Sequence, residues 1–179
     1  DDQIVTRLPD DFTYSTAFYA DQIIEYIGEN RQQPFFGYLA LTAPHWPLQA
    51  PDDVIEQFAA RYSEGYEVLA SQRLAQLKSL GFVDQDTMLS TLPPGVPFWA
   101  SLSTEEQARQ ARAMAVYAAM IAEIDLHTGR VIDHLERTGE LNNTVVAFLS
   151  DNGAEGHDLD QTWPADMFPE IRDVIDKRF

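Results

Sequence analysis

Two stretches of the chain are apolar without alternation and too short for a helix. They are Phe35-Phe36-Gly37-Tyr38-Leu39-Ala40-Leu41 and Thr144-Val145-Val146-Ala147-Phe148-Leu149. Uniformly apolar runs of this length predict strands buried on both faces, as in a parallel sheet. Between and around them the pattern changes to the helical spacing of three and four. Residues 17–30 carry Ile23, Ile24 and Ile27 among Phe18, Gln22 and Glu25, predicting a helix that ends near Gly28. Pro51-Asp52 opens a short helix bearing Val54, Ile55 and Phe58. Tyr66 to Leu80 forms a further one, with Ala70, Leu74 and Leu77 on one face and Gly81 as its stop.

Residues 82–103 hold four of the chain's prolines and little periodicity, and read as a loop or lid anchored by Phe98 and Trp99. Ser103-Thr104-Glu105-Glu106 is a capping box. It opens the longest element, which runs to Gly139, with a possible bend at Gly129. Met114, Tyr117, Ile121, Ile124, Thr128, Val131 and Leu135 form the stripe expected to be buried. On this pattern His127 and His134 fall off the stripe and are expected to be solvated. Residues 1–16 read as a loop, and 168–179 as a short terminal helix. Alternating helix and strand predict an α/β class: a mostly parallel sheet flanked by helices, with the long helix preceding the last strand.

The chain has 179 residues, enough for one domain with a real core. Its net charge of −17 opposes binding to nucleic acid or an anionic membrane. It has no cysteine, hence no disulfide, thiolate nucleophile or Cys-ligated metal. No apolar run approaches the roughly 20 residues that cross a bilayer.

The candidate chemistry lies where the apolar runs end. The first run leads into Thr42-Ala43-Pro44-His45-Trp46-Pro47, and the second into Ser150-Asp151-Asn152-Gly153. In parallel α/β sheets ligands bind beyond the carboxyl ends of strands. A carboxylate beside a carboxamide offers two hard oxygens suited to Ca²⁺ or Mg²⁺. Read alone, Asp-Asn-Gly is equally a turn, and a histidine between two prolines could simply pack against Trp46. Asn142-Asn143-Thr144 has the form of a glycosylation sequon and reads as a turn. His157 follows the Asp-Asn-Gly segment as a minor candidate.

Taken in order, these segments resemble one family. Residues 37–51, the Tyr-x-x-Gly-Tyr stretch at 62–66, Met-Ala-Val-Tyr-Ala-Ala-Met at 114–120, Gly-Arg-Val-Ile-Asp-His-Leu at 129–135 and Ser-Asp-Asn-Gly-Ala-Glu-Gly at 150–156 resemble the central part of formylglycine-dependent sulfatases of the arylsulfatase type. The resemblance implies a partial alkaline-phosphatase-like α/β domain and sulfuric ester hydrolysis at a Ca²⁺ centre. It implies Asp151 and Asn152 as metal ligands and His45 as the catalytic histidine that contacts the ester. The expected partner is a small-molecule or glycan sulfate ester.

The family's formylglycine derives from a Cys/Ser-x-Pro-x-Arg motif, which this chain lacks. Nor does an apolar strand precede Asp1-Asp2 to make them the family's N-terminal metal pair. The resemblance therefore predicts residues 1–179 as one segment of a catalytic domain, without its N-terminal and C-terminal parts. The runner-up is a phosphonate or phosphate monoester hydrolase of the same superfamily. A third reading is a non-catalytic binding domain on the same scaffold. Compartment and oligomeric state are not encoded in any of these features.

Overall fold

A capped helix of 34 residues, Thr104–Arg137 (α4), is the element on which the others rest in a computed structural model that describes residues 9–10, 12–31 and 33–153. Its start follows from local chemistry. The Ser103 hydroxyl accepts from the Glu106 amide, and the Glu106 carboxylate accepts from the Ser103 amide at 2.8 Å. The helix passes through Gly129 without interruption, so the bend considered there does not form. At 1.5 Å per residue it is about 50 Å long.

Ser15–Glu29 (α1) and Asp52–Glu56 (α2) both pack against α4, while Tyr66–Ser79 (α3) has no buried residue. All four helices lie within two residues of the positions predicted from periodicity.

The buried face of α4 differs from the predicted stripe. Ala115, Val116, Ala119, Met120, Glu123, Ile124, His127 and Leu135 are buried, whereas Ile121 is exposed. Small alanines let the neighbouring elements approach closely, so the contact face follows shape rather than the largest apolar side chains. Ala43 and Ala50, from the loop between the first apolar run and α2, join Ile55 and this face in one core cluster. Leu41, Leu48, Val54, Phe58 and Tyr62 pack around it. Burying one such aliphatic side chain is worth about 1.5–3 kcal/mol.

The two predicted strands are extended, but among the described residues neither pairs with another segment. Their side chains are largely exposed: Phe36 by 86%, Tyr38 by 80%, Val145 by 96% and Phe148 by 75%. Burial on both faces, expected from their composition, is not what these residues show. An apolar run specifies that a partner surface is needed; it does not say where in a polypeptide that surface is encoded.

The 82–103 segment is anchored by Trp99 alone, since Phe98 is exposed. The Trp99 amide donates to Glu67 at 2.9 Å and its ring packs edge-on to Tyr66 at 5.4 Å. Gly65 makes room for the indole: with φ at +88°, a Cβ there would lie 2.3 Å from the Trp99 ring. The Tyr66 hydroxyl donates to the Pro97 carbonyl. Desolvation first, and then the Glu67 carboxylate, push the Tyr66 hydroxyl above the ordinary phenol range. The terminal helix expected at 168–179 lies outside the described residues.

Candidate functional site

His45 sits at the tip of a loop that is held at both ends. Ala43 and Ala50 bury their methyl groups against α2 and α4, and Leu41 and Leu48 pack on the same cluster. The His45 amide closes a turn on the Thr42 carbonyl at 2.9 Å. The imidazole itself is exposed, with Nδ1 lying 2.5 Å from the carbonyl oxygen of Trp46. The packing of this loop therefore lies in its alanines and leucines and leaves the histidine ring available for other contacts.

Asp151 and Asn152 form a bend directly after the second run, and both are exposed. The Ser150 hydroxyl donates to the Asn152 carbonyl at 2.6 Å, and Asn152 Nδ2 donates to the Gly153 carbonyl at 2.8 Å. With its amino group so engaged, Asn152 leaves Oδ1 on the opposite side of the amide, next to the Asp151 carboxylate in sequence. Two hard oxygens are thus present, which suits a divalent cation as part of a larger ligand set. Among the described residues no group of three or more His, Asp or Glu side chains gathers as a metal site. No hydrogen bond joins His45 to Asp151 or Asn152 among those residues. His157 lies outside them, as do Asp1 and Asp2.

One polar cluster escaped the sequence reading. His127, expected in solvent, is 8% exposed and Glu123 6%. Glu123 Oε2 lies 3.1 Å from His127 Nε2, Arg130 Nη1 lies 2.9 Å from His127 Nδ1, and Arg130 Nη2 donates to Asp21 of α1. Guanidinium is a donor only, so Nδ1 must accept and Nε2–H must donate to Glu123. The cluster spans the α1–α4 contact with alternating donors and acceptors. The signal was available at positions 123, 127 and 130, whose spacing of four and three places them on one helix face. His134 is half-buried beside Gly28, and its Nε2 is shielded from solvent.

Comparison with known proteins bears on what this geometry serves. Residues 5–168 match the sulfatase family. The chain is 46% identical over 149 residues to an uncharacterized sulfatase of Schizosaccharomyces pombe, covering 82% of this chain and 27% of that protein. It is 46% identical over 148 residues to an arylsulfatase of Klebsiella aerogenes, covering 82% of this chain and 32% of that protein. Arylsulfatase K of Xenopus laevis is 30% identical over 152 residues, covering 81% of this chain and 27% of that protein. The chain thus spans about a third or less of the length of these relatives.

Proposed function

We propose that this chain, which belongs to the sulfatase family, supplies one side of a site for hydrolysis of sulfuric esters. Membership implies the family's alkaline-phosphatase-like fold. In this reading residues 35–41 and 144–149 are strands of its sheet, and their exposed apolar side chains face partners that the described residues do not supply.

The observation that carries the reading is the paired placement of chemistry after the two extended runs. A histidine follows the first, on a loop fixed to the core, and Asp151-Asn152 follows the second. His45 contacts the ester and gives a proton to the departing oxygen, a poor leaving group when it must leave as an anion. Asp151 and Asn152 contribute two oxygens to Ca²⁺. Such an ion, when bound, offsets negative charge on the sulfuryl oxygens. Because the chain holds no cysteine and no Ser-x-Pro-x-Arg motif, the nucleophile is assigned to residues beyond these. Taken by itself, the 179-residue chain should therefore not turn over an aryl sulfate.

A chimera tests this. Residues 5–168 replace their counterparts in the Klebsiella aerogenes arylsulfatase, and hydrolysis of an aryl sulfate is followed. The chimera should be active, and His45→Ala should lower kcat at least a hundredfold, the lower end of the effect for general acids. Asp151→Ala should weaken Ca²⁺ binding in calorimetric titration. A chimera that hydrolyses aryl sulfates equally well with and without His45 would refute the assignment.

A further inference from the structure

We infer that the main-chain carbonyl of Trp46 is a positioning group for His45, holding the proton on Nδ1 so that Nε2 is the nitrogen presented to the ester. The inference rests on the reading of His45 given above. A carbonyl oxygen can only accept, and it lies 2.5 Å from Nδ1. That nitrogen must therefore carry a hydrogen. The ring nitrogen left for chemistry is Nε2, and the other nitrogen's hydrogen bond decides this.

The arrangement is opposite to that of His127. There Arg130 forces Nδ1 to accept, and Nε2–H is used up on Glu123. One histidine is buried with both nitrogens committed to side chains. The other is exposed, with one nitrogen committed to main chain and one left over. The difference follows from the partners: a donor-only guanidinium in one case, an acceptor-only carbonyl in the other.

The loop can enforce this geometry because its ends are fixed. Ala43 and Ala50 are anchored in the core on either side of the ring. Nδ1 keeps its hydrogen throughout the proton transfer. The imidazolium loses its Nε2–H bond as the leaving oxygen gains an O–H bond, and the product is the Nδ1–H imidazole already paired with the Trp46 carbonyl. Neither side of that step needs the ring to turn.

Nitrogen-15 spectra of the histidine-labelled chain test the inference, with the His45 signals identified by their loss in His45→Gln. At a pH where His45 is neutral, Nδ1 should show the protonated shift and Nε2 the bare one, the reverse of the order that free imidazole side chains favour in water. Trp46→Ala keeps the carbonyl and should keep this pattern. An Nε2–H or averaged spectrum in the unsubstituted chain would overturn the inference. So would loss of the pattern in Trp46→Ala, which would credit the indole ring rather than the carbonyl. Failure of the functional reading looks different: the tautomer stands, but His45→Ala leaves the chimera's turnover unchanged.

Discussion

The loop that carries His45 and the segment that carries Asp151 are built in contrasting ways. Residues 41–50 lean on the chain's own core, with Ala50 2% exposed and Ala43 9%. Residues 144–149 are also apolar, yet Val145 is 96% exposed and Leu149 77%. The two lead-in sequences look alike and their composition predicts the same buried strand. One half of the candidate site is therefore positioned by helices encoded nearby, and the other half depends on a surface outside the described residues. In a sulfatase of which this chain spans about a third, that surface would come from the remaining length.

The contrast is sharpest when the same change is made on both sides. Val116 is fully buried on α4 beneath the His45 loop. Val116→Asp buries an unpaired carboxylate there and should destabilise the chain by about 4 kcal/mol or more, enough to unfold it. Val145→Asp places the same charge in solvent and should change stability by no more than about 0.5 kcal/mol. Chemical denaturation monitored by circular dichroism compares the two. Similar costs would mean that 144–149 is packed after all.

A smaller effect tests whether the polar cluster belongs with the self-supporting side. His127→Leu removes the partner of a buried Glu123 and the acceptor for Arg130. Leaving a buried charge-bearing group unpaired costs about 1–3 kcal/mol. His127→Gln, whose amide can both donate and accept, should recover part of that loss. A silent His127→Leu would remove the cluster from the account of how α1 is held on α4.

The legible parts of the fold were those whose cause is local. Ser103 and Glu106 announced the start of α4 because a capping box is completed within four residues. The helix positions followed from periodicity for the same reason. The buried face of α4 was misread because alanines signal close approach only when the neighbour is known, and no periodicity reveals that Ala43 and Ala50 pack there. His127 was misplaced for a related reason: its burial depends on Asp21, which lies on α1 far away in sequence. The site residues His45, Asp151 and Asn152 were found through resemblance and through their place after apolar runs. The loop packing that positions His45 was not visible in either.

The smallest predicted effect concerns the capping box. Glu106 is held below the ordinary carboxylate range by the Ser103 hydroxyl first and then by the Ser103 amide. A carboxyl whose folded value is depressed contributes stability that is present above its unfolded value. That stability is lost as pH falls through the folded one. Ser103→Ala should cost about 1 kcal/mol near neutral pH. The difference in melting temperature between the two proteins should shrink in acid as Glu106 becomes protonated. A gap that stays constant down to the acid limit would mean the carboxylate takes no part in the cap.

Because the chain contains no cysteine, single thiols can report directly on the two halves of the site. Ala50→Cys and Val145→Cys are each exposed to a thiol reagent under native conditions, and the labelling rate is compared with that of the same variant in denaturant. The cysteine at position 145 should react about as fast as in the unfolded chain. The one at position 50 should be slowed at least about a hundredfold, because it reacts only when the core opens. Equal protection at both positions would contradict the claim that this chain's own core holds the His45 side of the site and not the Asp151 side.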